Sequence, residues 1–325
     1  MEFRTQIPIN TQSKTIELGQ QFVTIGSCFA NSIDQKLIEH KFQTENNPLG
    51  IIYDPISIAR VLNYAITGNR PDAQSYFNLD STFINLMAHS DMNGANLEET
   101  KGLINTQLEK LYTSLKNANW LIITLGTSWV YTHKNTGIQV ANCHKIPQKE
   151  FDKSLLPFDR TKTIFNNLLQ LLEEFNPNLN IILTVSPVRH TKDTLPLNTL
   201  SKSHLFLLSH YLEQSHKNVT YYPAYELLID DLRDYRFYKS DMIHPSEQAV
   251  DYIWEHFLQT YFNSETQTFF KEWQLILKAL NHKPFNSKST QHQSFIKATI
   301  QKLELLKGKI DTNQEIDVLK KQLLA

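Results

Sequence analysis

Two segments, Trp120-Leu121-Ile122-Ile123-Thr124-Leu125 and Asn180-Ile181-Ile182-Leu183-Thr184-Val185, are almost unbroken apolar runs. A strand that is apolar on both faces must be covered on both faces, which a parallel sheet between helical layers provides and a half-solvated antiparallel sheet does not. Helical periodicity precedes each run: Leu97 to Leu115 before the first, and Thr161 to Phe175, with Ile164, Leu168, Leu171, Leu172 and Phe175 on one face, before the second. A shorter β-branched run, Phe22 to Ile25, opens the series, and Val219 to Tyr222 closes it. This alternation predicts an α/β chain of three layers, α/β/α, around a mostly parallel sheet.

The first run leads into the most informative turn. Val23-Thr24-Ile25 ends in Gly26, and Ser27-Cys28-Phe29-Ala30 then opens a helix to about His40, with Ile33, Leu37 and Ile38 on its apolar side. A strand, tight turn and helix in this order put Ser27 and Cys28 at a helix N-terminus. The N–H groups there lack intrahelical partners and carry the positive end of the macrodipole, so they favour a thiolate and can donate to a developing oxyanion. Far downstream, Asp241-Met242-Ile243-His244-Pro245 supplies an acid three residues before an imidazole, a spacing at which the carboxylate can orient one ring nitrogen and leave the other as a base.

These two places carry a resemblance. Gly26-Ser27-Cys28-Phe29-Ala30 resembles, letter for letter, the signature of the GSCFA domain family, grouped with the SGNH (GDSL-like) esterases and acyl hydrolases. That resemblance spans roughly residues 20 to 260. It implies an SGNH-hydrolase-like, flavodoxin-like sheet, a nucleophile just after the first strand, and Asp241 and His244 as its triad partners. Aligned without a gap on Gly-Asp-Ser, the turn places Cys28 at the nucleophile position, with Ser27 as the alternative and a buried, inert thiol as the third reading. A similar Gly-x-Cys replacement occurs in a CoA-binding capsule acyltransferase family of SGNH-like fold.

The resemblance also implies oxyanion donors. Gly50, in the loop Asn46 to Pro55, fits the second backbone donor by order, or is a plain turn glycine. After the Trp120–Leu125 run the family usually has Gly-x-Asn-Asp. Here Gly126-Thr127-Ser128 departs from it, so Ser128 would have to donate through a hydroxyl, or Asn142 or His144 after the Asn135-Thr136-Gly137 turn would take over. Cys143 beside His144 raises a second nucleophilic pair or a metal site, but adjacent strand residues face opposite ways and no zinc spacing is present, so no metal is expected. Arg189 and His190 follow the second apolar run at a carboxyl end of the sheet, where ligands bind in open α/β folds, and are candidate contacts for a carboxylate or phosphate, or members of a salt-bridged loop. His89, in a polar insertion from 68 to 102, is either a wall of the site or a surface histidine.

Composition narrows the partners. With 32 basic and 33 acidic residues among 325, the net charge of −1 creates no field for nucleic acid or an anionic membrane surface. No membrane-spanning run and no signal-peptide pattern stand out, and two cysteines in 325 residues fit a reducing, cytoplasmic setting. From Ser264 the chain turns to polar helices, Phe269 to Leu280 and Ser294 to Leu324, hinged at His282 to Asn286. The expected organisation is an α/β domain over 1–263 and a helical extension over 264–325, a hairpin suited to pairing with another subunit. Three functions follow: a hydrolase of O-acyl esters, including acetyl esters on a glycan, that needs no cofactor; an acyltransferase with an acyl-CoA donor; or a non-catalytic binding protein on a degenerate scaffold.

Overall fold

In a computed structural model, residues 4–282, 284–286 and 289–323 are described. The chain runs β1 (Gln21–Gly26), α1 (Cys28–Glu39), β2 (Gln43–Asn46), α2 (Pro55–Thr67), a hairpin of β3 (Tyr76–Leu79) and β4 (Thr82–Asn85), α3 (Leu97–Asn117) and β5 (Trp120–Leu125). Then come β6 (Trp129–His133), β7 (Gln139–Val140), β8 (Phe151–Leu155), α4 (Phe158–Phe175), β9 (Asn180–Val185), α5 (Leu195–Ser215) and β10 (Val219–Tyr222). A single turn, α6 (Ala224–Glu226), precedes α7 (Glu247–Tyr261), α8 (Ser264–Leu280), α9 (Thr290–Leu306) and α10 (Asn313–Lys320).

Five strands form the central parallel sheet in the order β10-β9-β5-β1-β2, flanked by helices; four are the predicted runs, and the polar β2 is added at the edge. Val23 and Ile25 of β1, Leu121, Ile123 and Leu125 of β5, and Ile181, Leu183 and Val185 of β9 share one buried cluster with α2, α3, α4 and α5. Their alternates Phe22, Trp120, Ile122 and Ile182 are buried as well, so both faces are dry. The strand order reverses between β1 and β5, and at such a switch point the loops leaving the two carboxyl ends diverge and open a crevice.

Two satellites differ from the polar-loop expectation for 68 to 102 and confirm the turn at 135 to 137. The β3–β4 hairpin occupies the former, and β6 pairs antiparallel with β7 and β8 around the latter, with Gly137 at φ 68°. Helix α5 begins at Leu195, with Pro196 in its first turn, where a missing N–H costs nothing.

The compact units do not follow a single cut at 263. One contains residues 4–8, Gln21–Gln35 and Thr44–Glu255; the other contains Ile9–Gln20, Lys36–Gln43 and His256 onward. In the second unit, Trp273 Nε1 donates to Glu39 O at 2.7 Å, Lys41 pairs with Glu315 at 2.6 Å, and Ile16 bridges to Phe262. Segments distant in sequence thus pack with the tail helices. The tail holds α9 and α10 rather than one long helix from 294 to 324, and the predicted hinge falls partly on Lys283, outside the described residues.

Gly26 leaves no room for a side chain. At φ 137°, a Cβ there would lie 2.1 Å from Thr124 O of β5, in a backbone region L side chains rarely adopt. Its N–H donates to Asn47 Oδ1 at 2.8 Å and its carbonyl accepts from Ile52 N–H at 3.0 Å. Gly26→Ala is expected to destabilise the protein by about 2–4 kcal/mol, read as a lower midpoint in urea unfolding, because strain and a backbone clash add together.

Candidate active site

The crevice between β1 and β5 receives the first helical turn of α1. Ser27 is 1% exposed, with its N–H donating to Thr124 O at 3.0 Å and its Oγ accepting from Phe29 N–H at 3.3 Å. The hydroxyl is used inward as a cap. Cys28, the next residue, is half-buried and unoxidised. Desolvation raises its thiol above the ordinary cysteine value, opposed by the N–H groups of Cys28 and Phe29 and by the Lys202 and Lys239 ammoniums. The depressed thiol expected from the helix N-terminus is therefore corrected: burial outweighs the dipole and both cations in the ligand-free protein.

Asp241 and His244 stand together, part-exposed, on the loop before α7. Asp241 Oδ2 lies 2.7 Å from His244 Nδ1, while Asp241 Oδ1 accepts the N–H groups of Ile243 at 2.9 Å and His244 at 3.0 Å. These two backbone bonds, with the imidazole, hold the carboxyl down at about 2. It is ionised near neutrality, so Nδ1 carries the proton it donates and Nε2, without a protein partner among the described residues, is the basic nitrogen. Backbone hydrogen bonds hold this loop in place. Lys239, whose charge acts on Cys28, donates its N–H to His244 O at 2.8 Å, and Arg189 N–H donates to Ile243 O at 3.4 Å.

Gly50 takes a positive φ of 78° and packs so closely that a Cβ would lie 2.2 Å from His89 Cβ, while its N–H donates to Asn47 O at 2.7 Å. It is a turn glycine whose N–H is committed. Ser128 is buried, with its Oγ donating to Ser201 O at 2.9 Å and its N–H to Ser201 Oγ at 2.8 Å, which leaves nothing to offer an oxyanion. His144 is buried, its Nε2 2.8 Å from Asn85 O, and its N–H donates to Asn142 Oδ1, so this pair pins a loop onto β4. Burial pushes Cys143 up to about 11 in an apolar cluster with Val140 and Phe151, and among the described residues no group of three or more His, Cys, Asp or Glu could hold a metal. His89 meets Asp91 at 3.0 Å.

Arg189 lies over the rings of Tyr238 at 4.5 Å and Tyr235 at 5.5 Å, and among the described residues it has no carboxylate partner. His190 is half-buried and pushed down to about 4 by burial and then by Lys202. Lys202 itself is the residue that sequence reasoning missed. It is 1% exposed, donates Nζ–H to Gly126 O at 2.8 Å and Ser186 O at 2.7 Å, and is pushed down to about 7 by burial, with Cys28 opposing. The available signal was its place on the stripe Lys202, Leu205, Ser209 and Leu212, the buried side of α5.

This constellation defines an α/β protein with a cysteine at its first βα turn and a late Asp-x-x-His loop. The model of the GSCFA family matches residues 21–257, and that of the GSCFA domain protein C-terminal domain matches residues 273–325. The chain belongs to the GSCFA family. No curated protein sequence matches it. Among solved structures it is similar to a candidate platelet activating factor from Streptococcus pneumonia, at 14% identity, TM-score 0.39, covering 75% of this chain and 85% of that one. It is also similar to an acetyl xylan esterase from the rumen bacterium Butyrivibrio proteoclasticus, at 10% identity, TM-score 0.37, covering 83% and 67%. Among the described residues no helix is long and apolar enough to cross a membrane.

The Lys202 geometry has a consequence for stability. A lysine that titrates at about 7 when folded and near 10.5 when unfolded binds fewer protons in the folded state between those values, so stability rises with pH across that window. Below it the buried ammonium destabilises in full. The stability of wild type relative to Lys202→Met is expected to rise by roughly 3 kcal/mol between about pH 7 and about pH 9.5, measured by paired urea unfolding curves.

Proposed function

We propose that the chain is an acyl-ester hydrolase, acting on an O-acyl group such as an acetyl ester of a glycan or small molecule, with Cys28 as nucleophile, His244 as base and acid, and Asp241 as the group that orients the ring. The observation that carries this reading is the 2.7 Å Asp241–His244 pair on the loop that also carries Lys239, whose charge acts on the Cys28 thiol at the head of α1. Ser27 is the weaker nucleophile because its Oγ is already engaged and sealed from solvent.

His244 Nε2 takes the Cys28 proton as Sγ attacks the ester carbonyl, and the carbonyl oxygen becomes an oxyanion facing the Cys28 N–H. Collapse of the adduct expels the alkoxide, which His244 protonates, leaving a thioester on Cys28. Water, deprotonated by His244, releases the acid and restores the thiol. With Gly50 and Ser128 committed elsewhere, the Cys28 N–H is the donor best placed by this scheme. An electrostatic penalty on the thiolate remains in the free protein, so the imidazole must remove the proton as the bond forms.

A second reading, transfer from an acyl-CoA, is favoured by one observation: Arg189 lies over two tyrosines beside the His244 loop with no carboxylate of its own among the described residues, a guanidinium suited to a phosphate.

On a panel of short-chain acyl esters, His244→Ala and Cys28→Ala are each expected to lower turnover by about 10³-fold or more, whereas Ser27→Ala keeps the nucleophile and loses chiefly stability. A His244→Ala enzyme as active as wild type would remove the scheme. CoA is expected to leave the melting temperature unchanged if hydrolysis is the activity, and to raise it, in an Arg189-dependent manner, if transfer is.

A further inference from the structure

Helix α5 is apolar on both of its sides. Toward the core it buries Leu205, Leu208 and Leu212. Away from the core, Leu195, Leu197, Leu200 and Leu207 are each between 39% and 53% exposed. One leucine on a surface is ordinary, but a row of them along one helix marks a face that something covers. The charges that usually solvate such a face are missing. From Leu195 to Leu212, histidines aside, the one charged residue is Lys202, and it is buried. Helix α3 has the same length, 21 residues, and carries Glu98, Glu99, Lys101, Glu109, Lys110 and Lys116.

The spacing along this face identifies its occupant. Leu200 and Leu207 lie about two turns, or about 10 Å, apart on one side of the helix, with the small, exposed Ser203 between them. Such a row reads the same from either end. A second α5 laid antiparallel across it sets Leu200 against Leu207 of the partner subunit, and the reverse, with the Ser203 positions meeting at the two-fold axis. Small side chains at that crossing let two helices approach to about 8 Å. Charge favours the same direction. Lys192, just before α5, has no ion-pair partner among the described residues. Glu213, near the end of α5, accepts the Tyr221 N–H at 2.8 Å and makes no ion pair among them. A parallel copy would set like charge against like. An antiparallel copy brings each Lys192 to the turn that carries Glu213 of the partner subunit, and it opposes the two macrodipoles.

We propose that the outward face of α5 is an interface between two copies of this chain, an isologous, antiparallel pairing of α5 with α5 about Ser203. An unrelated protein or an acyl chain would be indifferent to the symmetry of the row and to the opposite charges at its ends; a second copy uses both. The interface draws on no residue of the Cys28 turn or the His244 loop, so it stands apart from the hydrolase reading.

Sedimentation equilibrium of the full chain, from micromolar to submillimolar concentration, is expected to show a monomer–dimer equilibrium. Leu200→Glu and Leu207→Glu alter side chains already in contact with solvent, so the circular dichroism spectrum is expected to stay as in wild type. Each is expected to weaken the dimer by about 100-fold or more, because the symmetry places two unpaired carboxylates in one interface. Under mild oxidation Ser203→Cys is expected to give a covalent dimer, whereas Thr199→Cys and wild type, which keeps Cys28 and Cys143, give none. The reason is that a disulfide needs Cα atoms about 4.4–6.8 Å apart, a separation reached across the axis at position 203 and not at 199. A monomer at every concentration overturns the proposal. So does a dimer that Leu275→Glu, on the exposed side of α8, dissolves and Leu200→Glu leaves intact, since the contact would then lie on the tail helices. A covalent dimer from Thr199→Cys with none from Ser203→Cys overturns the antiparallel register.

Discussion

The close approach of Gly26 to the Thr124 carbonyl is the constraint on which the candidate site depends. With Ser27 N–H donating to that same carbonyl, the end of β1 is pressed against β5 where their loops part, and the chain must turn at once into α1. Asn47 reinforces the turn, its Oδ1 accepting from Gly26 N–H and its Nδ2 donating to Asn31 Oδ1 at 2.7 Å. Cys28 is therefore carried by rigid backbone, the condition under which a single thiol can be aimed at a substrate atom.

Burial and charge compete around that thiol. Desolvation disfavours the thiolate, and the same low dielectric magnifies the attraction of any nearby cation. Lys202 and Lys239 act on it from α5 and from the His244 loop, while Asp241, part-exposed and held ionised by backbone N–H groups, keeps its charge beside the imidazole. Under the proposed function this thiol rests neutral and loses its proton to His244 only as it attacks.

Much of this was legible in the residues. Four strands of the parallel sheet followed from apolar runs that admit no wet face, while the polar β2 did not, and the Asp241–His244 bond followed from a three-residue spacing within one loop. Periodicity failed where structure depends on partners distant in the chain. Ser128 looked available until Ser201 of α5 met it, and Gly50 looked available until its N–H closed on Asn47. Nothing local marks Lys202 as buried, because its acceptors lie 76 and 16 residues away in sequence.

By itself the sequence determined the layered α/β architecture, the strand-turn-helix at Gly26 and the local carboxylate–imidazole pair, since each arises from interactions among neighbours or from a period of alternation. Tertiary structure alone decided which hydroxyls and N–H groups were already spent, which way burial moves the thiol, and that Lys202 is buried against the carbonyls after β5 and β9. Those outcomes depend on desolvation and on contacts between elements that chain order does not place side by side, and neither is a property of any residue taken alone.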